Sequence, residues 1–284
     1  MIGPQAPTGG AKPLVLCADD YAFNVGVSQA ICTLAYQSRL TATSVMVLSP
    51  RWRADALRLA ERRGRLDVGL HLDWTSPFAH AAGHGVTLLE AMRRALFGGF
   101  DTQVARGVIE RQLDLFEAAW GAPPDHVDGH QHVQQFAGIR EALVDVLARR
   151  YPGHLPWLRI SRAPAGQRTF KTSVLSVLGA APLTRLACAA GIPCTPALSG
   201  IYGFDLSVAG YGRQMGHWLH SSPTGAEIMC HPGAADSLVK DEIATARSRE
   251  LEYLSSAAFG QALQTAGVRL ARGSLLYAPR AVSA

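Results

Sequence analysis

The sequence predicts an α/β fold: a (β/α) barrel, distorted or seven-stranded, with an irregular insert near residues 163–218. Three observations lead there. Short apolar runs alternate with amphipathic stretches from one end to the other, the pattern of βαβ crossovers and a mainly parallel sheet. About seven such units follow one another without an obvious linker, which favours a closed or distorted barrel over an open sheet. Polar residues stand at the ends of the apolar runs, where a parallel barrel gathers them on one face.

The elements are expected in this order. Residues 1–12, MIGPQAPTGGAK, lack the basic start and apolar centre of a secretory leader; they read as a flexible lead-in to a single domain, 13–284. The LVLC run at 14–17 is a buried strand, and 25–37 a helix. A strand at 44–48 and a helix at 54–63 come next, then a strand at 68–72 closed by a loop rich in Gly and His. Helices are expected at 88–97 and 104–120, the second with Ile109, Leu113, Phe116 and Trp120 on one face. A strand starting at His126 leads to a helix at 139–149. Runs at 158–160, 194–198, 227–230 and 268–270 complete the strands. Residues 163–218, rich in Gly, Pro, Ser and aromatics, are expected to form a lid or a substrate wall.

Composition narrows the function. Of 284 residues, 48% are hydrophobic and 17% charged, enough apolar surface for a large core and too little charge for disorder. No apolar run reaches the roughly 18 residues of a membrane span, so stable membrane insertion is not expected. The formal charge of +5 is spread over helical stretches, as at Arg58, Arg62, Arg63, Arg149 and Arg150. Without a basic arm carrying interleaved aromatics, it argues against nucleic-acid binding. Five cysteines, none in a C-x-x-C pair, fit buried thiols in a reducing cytoplasm. Neither a G-x-S-x-G elbow nor a glycine-rich phosphate loop occurs.

Four polar clusters, distant in the chain, carry the chemistry. Asp19 and Asp20 follow the first buried strand. Two adjacent carboxylates there need a cation or strong hydrogen bonds; one can ligate a metal while the other takes a proton from water, or one can cap the next helix. His71 ends the third strand, as a ligand or as a satisfied core residue. Asp128, His130 and His132 alternate, which puts three polar side chains on one face of an extended segment, unless this is an exposed loop. His231, before a Pro-Gly turn, is placed to act as a general acid or to brace the turn. Arg159 could orient a carboxylate, bind a substrate hydroxyl or sit at the surface; Trp74, Tyr202, Phe204 and Trp218 could stack on sugar rings or pack.

At these residues the sequence resembles the YdjC-like carbohydrate deacetylases, the family of chitooligosaccharide deacetylases and hopanoid-biosynthesis deacetylases. The matching pieces are A-D-D at 18–20, T-x-T-S-V-M-V at 41–47, V-G-L-H-L at 68–72 and V-D-G-H-Q-H-V at 127–133. H-P-G at 231–233 and R-x-x-E-L-x-x-L at 247–254 complete the series, in the family's order. The chain departs from the family's usual pattern at Tyr21-Ala22, where Phe-Gly is common, and at Gln134, where a histidine often stands.

The resemblance implies a barrel-like fold and hydrolysis of an N-acetyl group on an amino sugar. It implies that Asp20, His71 and His130 hold one divalent metal ion, with Asp19 as the base that activates water and His231 as the acid that protonates the departing amine. His132 matches a family position that either contacts the substrate or supports the site from behind; Arg159 and Trp74 are expected at the substrate on the residues' own showing. Two imidazoles and a carboxylate favour Zn2+ and are compatible with Mg2+. The expected partner is an N-acetylated sugar, and the family allows a homodimer. Rival readings are a metal-dependent hydrolase of another ester, amide or phosphoester, and a non-catalytic sugar-binding protein.

Overall fold

The computed structural model describes residues 10–234 and 241–277. Eight strands form its sheet: β1 (Lys12–Tyr21), β2 (Ala42–Val45), β3 (Asp67–Leu72), β4 (His126–Gly129), β5 (Trp157–Leu158), β6 (Leu198–Ser199), β7 (Glu227–Cys230) and β8 (Val268–Leu270). Seven run in the order β5-β4-β3-β2-β1-β7-β6, and β8 pairs with the start of β1. Every pairing is parallel. The sheet curls until its two edges approach: Leu158 bridges to Cys194, and Leu198 N–H donates to Arg162 O at 2.9 Å. The expectation of a distorted or seven-stranded barrel holds, with seven strands along the curled path and β8 off it.

Twelve helices surround the sheet within the described residues. They are α1 (Val25–Tyr36), α2 (Trp52–Ala60), α3 (Pro77–Ala81), α4 (Leu88–Phe97), α5 (Thr102–Trp120) and α6 (Ile139–Arg150), then α7 (Phe170–Val177), α8 (Ala180–Ala189), α9 (Val208–Ser221), α10 (Ala244–Ser255), α11 (Ala257–Thr265) and α12 (Gly273–Leu276). None is long and apolar enough by itself to cross a membrane. The stretch 163–218 is more regular than its composition suggests, since it holds α7, α8, β6 and most of α9. Of the expected lead-in, residues 1–9 lie outside the described residues, and Lys12 already opens β1.

Side-chain alternation along the strands decides what faces where. Leu14, Leu16 and Ala18 of β1, Val68, Leu70 and Leu72 of β3, and Ile228 and Cys230 of β7 join the main core between sheet and helices. The opposite face of these strands lines the barrel interior. There Val15, Cys17, Ala42 and Trp157 form a small separate apolar plug. Above the plug, the inward positions turn polar: Asp19, His71, Asp128 and Glu227, all buried. Gly69 is required among them, because a Cβ there would lie 2.3 Å from the His126 ring.

Candidate active site

The first strand carries two of the site's carboxylates, and its register with β2 shifts between Ala18 and Tyr21. Within that irregularity Asp20 adopts a left-handed backbone, φ 67°, which is uncommon outside glycine. The twist sends the neighbouring carboxylates in different directions: Asp19 into the barrel beside Arg159, Asp20 towards His71 and His130. Neither caps α1; that role falls to Asn24, whose Oδ1 accepts from Val27 N–H at 2.8 Å.

His71, at the C-terminal end of β3, has its Nδ1 2.7 Å from Asp128 Oδ1 on the adjacent strand and its Nε2 3.4 Å from Asp20 Oδ1. His130 Nδ1 lies 3.0 Å from the same Asp20 oxygen. One ligand atom from each of Asp20, His71 and His130 therefore falls within 4.8 Å of the others, a spacing that can hold a metal ion. The donor chemistry fits: two imidazoles and one carboxylate, with one imidazole oriented from behind by a second carboxylate.

The segment after β4 differs from the extended face expected there. Only Asp128 belongs to the strand; His130–Gln135 is a tight 3-10 turn with Gln131 and His132 in the left-handed region, φ 54° and 64°. The turn still delivers both histidines to the same mouth. His132 Nδ1 sits 2.9 Å from Ser161 Oγ, and burial, followed by the charge of Arg159, pushes its pKa down to about 3. Gln134, where family members often carry histidine, points inward and donates to Arg159 O at 3.2 Å.

Arg159 occupies the centre of the polar interior and is fully buried. Its Nη1 and Nη2 donate to Asp19 Oδ2 and Oδ1 at 2.7 Å each, and its Nε donates to Glu227 Oε1 at 2.9 Å. Asp128 Oδ2 lies 2.7 Å from Nη2. Burial opposes ionisation of Asp19, yet Arg159, with His71 and His231, holds its carboxyl well below the usual carboxylate range. The surplus of negative charge falls on Glu227, which burial pushes up to about 7 despite Arg159.

On the far side, Arg247 Nη2 donates to Asp20 Oδ2 at 2.7 Å while its Nε donates to Asp241 Oδ2 at 2.7 Å. Asp20 too is buried against ionisation, and Arg247 and then His130 keep it well below its ordinary pKa. The glycine of H-P-G makes room for this contact, since a Cβ on Gly233 would meet Arg247 Cδ at 2.9 Å. His231, just past β7, has its Nε2 3.9 Å from Asp19 Oδ2. Burial lowers its pKa, and the charges of Asp19 and Glu250 only partly oppose this.

Asp19, Asp20, His71, His130, His132 and His231 all line one cavity of about 1010 Å³ at the C-terminal ends of the strands. The 163–218 stretch forms part of its wall through Phe170, Val174, Ile201, Tyr202 and Phe204. Two expected substrate contacts need correction. Arg159 lies beneath the cavity floor, fully engaged with carboxylates, and orients Asp19 instead of reaching a ligand. Trp74 is 2% exposed and packs edge-on against His84 and Phe100, while its neighbour Asp73 accepts from the Thr75 and Ser76 amides in a local turn. Trp218 is also buried in packing. Sequence reasoning grouped Asp128 with His130 and His132 without seeing that it orients towards His71, and it assigned no role to Glu227, Arg247 or Glu250; the last two stand in the R-x-x-E segment already singled out, and Glu227 shares the inward parity of His231.

A family model described as YdjC-like protein matches residues 13–265. The chain belongs to this YdjC-like family. Among family relatives, chitooligosaccharide deacetylases of Yersinia enterocolitica and Serratia marcescens are each 25% identical, over 91% of this chain and 97% of theirs. An Enterococcus faecalis V583 protein provisionally assigned to cellobiose-phosphate cleavage superimposes with a TM-score of 0.72 at 21% identity, over 94% of this chain and all of its own. The catalytic domain of a peptidoglycan N-acetylglucosamine deacetylase from Eubacterium rectale shares the fold more loosely, with a TM-score of 0.51 at 12% identity over 96% and 92% of the two chains. The YdjC-like motifs thus coincide with the residues that the barrel gathers at its mouth.

Proposed function

We propose that this YdjC-like protein is a metal-dependent hydrolase that removes the N-acetyl group of an amino sugar. The observation that carries the reading is the convergence of Asp20, His71 and His130 on one cation-sized space, with Asp19 and His231 beside it in the same cavity. The names of the Yersinia and Serratia relatives support the choice of an N-acetylated sugar as substrate.

In this reading Asp20, His71 and His130 hold one divalent ion, with Zn2+ favoured by the nitrogen-rich donor set. Such an ion lowers the pKa of water and polarises the acetyl carbonyl. Asp19, kept ionised by Arg159, accepts the proton of the attacking water at Oδ2. Its depressed pKa makes it a poor place for that proton to stay, and His231 Nε2 lies 3.9 Å from the same oxygen. Once that gap closes to hydrogen-bond range around the substrate, the imidazole, neutral at rest, receives the proton and delivers it to the amide nitrogen as the C–N bond breaks. Without that delivery the amine would leave as an anion. His132 and the wall carrying Tyr202 and Phe204 contact the sugar. The cysteines Cys17, Cys32, Cys188, Cys194 and Cys230 are all unpaired, in keeping with a reducing compartment such as the cytoplasm.

The test is acetate release from N-acetylglucosamine and short chitooligosaccharides, with metal content measured on the same sample. Release that chelation abolishes and Zn2+ restores is expected. Cleavage of a phosphoester, with no acetate from any N-acetylated sugar, would overturn the reading in favour of another hydrolase.

A further inference from the structure

We propose that Glu250 is a positioning residue that holds His231 against the reacting amide, by tying the substrate wall to the end of β7. The proposal rests on the reading of His231 as the proton donor.

Glu250 lies in α10 and is fully buried, yet it belongs to no ion pair within the described residues. Its partners are three hydrogen-bond donors from three separate stretches of chain. Oε2 accepts from the His231 backbone N–H at 2.6 Å and from Tyr211 Oη at 3.2 Å, and Oε1 accepts from Tyr202 Oη at 2.6 Å. A buried carboxylate satisfied in this way is a strong anchor, because removing it strands three donors away from water.

His231 needs such an anchor. Its Nδ1 is buried without a hydrogen-bond partner among the described residues, and its Nε2 is 3.9 Å from Asp19, beyond hydrogen-bond range. Among the described residues no hydrogen bond fixes the ring. Two other constraints do: the main chain behind it, pinned by Glu250, and the Phe204 ring, which meets the imidazole edge-on at a centroid distance of 5.3 Å. Phe204 itself sits in a left-handed conformation, φ 63°. Its loop is held by Tyr202, which reaches Glu250 through its hydroxyl and Lys171 Nζ through its carbonyl at 2.8 Å. Both constraints on the imidazole therefore end at one carboxylate.

A purely structural anchor and a positioning residue differ in what depends on His231. Acetate release, metal content and thermal melting are measured for wild type, Glu250→Gln, Glu250→Ala, Tyr202→Phe and His231→Ala. The doubles Glu250→Ala/His231→Ala and Tyr202→Phe/His231→Ala complete the set. Glu250→Ala is expected to lower kcat by about 100-fold, with KM and metal content within about 2-fold of wild type. Glu250→Gln, whose amide oxygen still accepts from the His231 N–H, recovers most of the loss. In the His231→Ala background the Glu250→Ala change costs no further activity, because the residue acts through the imidazole. Should Glu250→Ala fail to fold, Tyr202→Phe carries the same test: a smaller loss of kcat that disappears when His231 is absent. A full second penalty in the His231→Ala background, or lowered melting with kcat intact, overturns the proposal. Wild type that releases no acetate sinks the deacetylase reading and this proposal together; active wild type with unaffected Glu250 and Tyr202 variants sinks this one alone.

Discussion

Arg159 grips Asp19 with both terminal nitrogens, Nη1 to Oδ2 and Nη2 to Oδ1, each at 2.7 Å, and the guanidinium is wholly out of solvent. The paired contact fixes the plane of the carboxylate and keeps it charged. A lysine supplies a point charge that cannot match two oxygens at once. Arg159→Lys should therefore lower kcat by about 100-fold while leaving metal content unchanged. Arg159→Met leaves three carboxylates without their cation and should cost about 3–5 kcal/mol in urea unfolding. Wild-type turnover in Arg159→Lys would show that Asp19 needs no such grip.

The neighbours Asp19 and Asp20 should separate cleanly. Asp19→Asn is expected to keep its metal and lose about 10²–10⁴-fold in kcat, the range for a lost proton-transfer group. Asp20→Asn should lose metal and activity together. Elemental analysis beside steady-state kinetics distinguishes the two, and retained turnover in Asp19→Asn would remove it from the proton path.

Asp128 stands behind His71, and its role is orientation. Asp128→Asn should weaken metal affinity by about 10- to 100-fold, measured by competition with a chromophoric chelator. Activity at saturating metal should recover towards wild type. Unchanged affinity would mean that the ring is held by packing alone.

Glu227 predicts a pH signature in stability. Its pKa is about 7 in the fold against an ordinary 4.5, so the folded state holds a proton that the unfolded chain gives up. For a carboxyl raised in this way, the contribution is fully present below pH 4.5 and lost as pH rises through 7. The melting temperature of Glu227→Gln should therefore gain on that of wild type steadily as pH rises across this window. A constant difference would show that Glu227 ionises normally.

Much of this was legible in the chain before any coordinates. The strand ends carrying Asp19, Asp20, His71 and His231 could be read because apolar runs and polar stops recur together, and parallel barrels bring such stops to one rim. The fine geometry was less legible for identifiable reasons. The His130–His132 segment alternates like a strand, but two left-handed residues fold it into a tight turn, and only tertiary contacts select that conformation. Trp74 looked like a sugar platform because exposure cannot be inferred from residue type. Arg159 looked ambiguous because its three acidic partners come from β1, β4 and β7. Glu227 passed unnoticed at the head of Glu-Ile-Met-Cys, although a charged residue opening a buried strand in phase with His231 was a usable signal.

The first strand is hydrogen-bonded along both edges, to β8 and then β2 on one side and to β7 on the other. A strand enclosed in this way opens locally only at high cost, and its amide protons are expected to exchange among the slowest in the chain. Asp19 and Asp20 directly follow that doubly paired stretch, which ends at Ala18, while Tyr202, Phe204 and Lys171 belong to the outer insert. The reacting groups are thus anchored at an interior strand of the sheet, and the wall over the cavity is supplied by a separate stretch of chain.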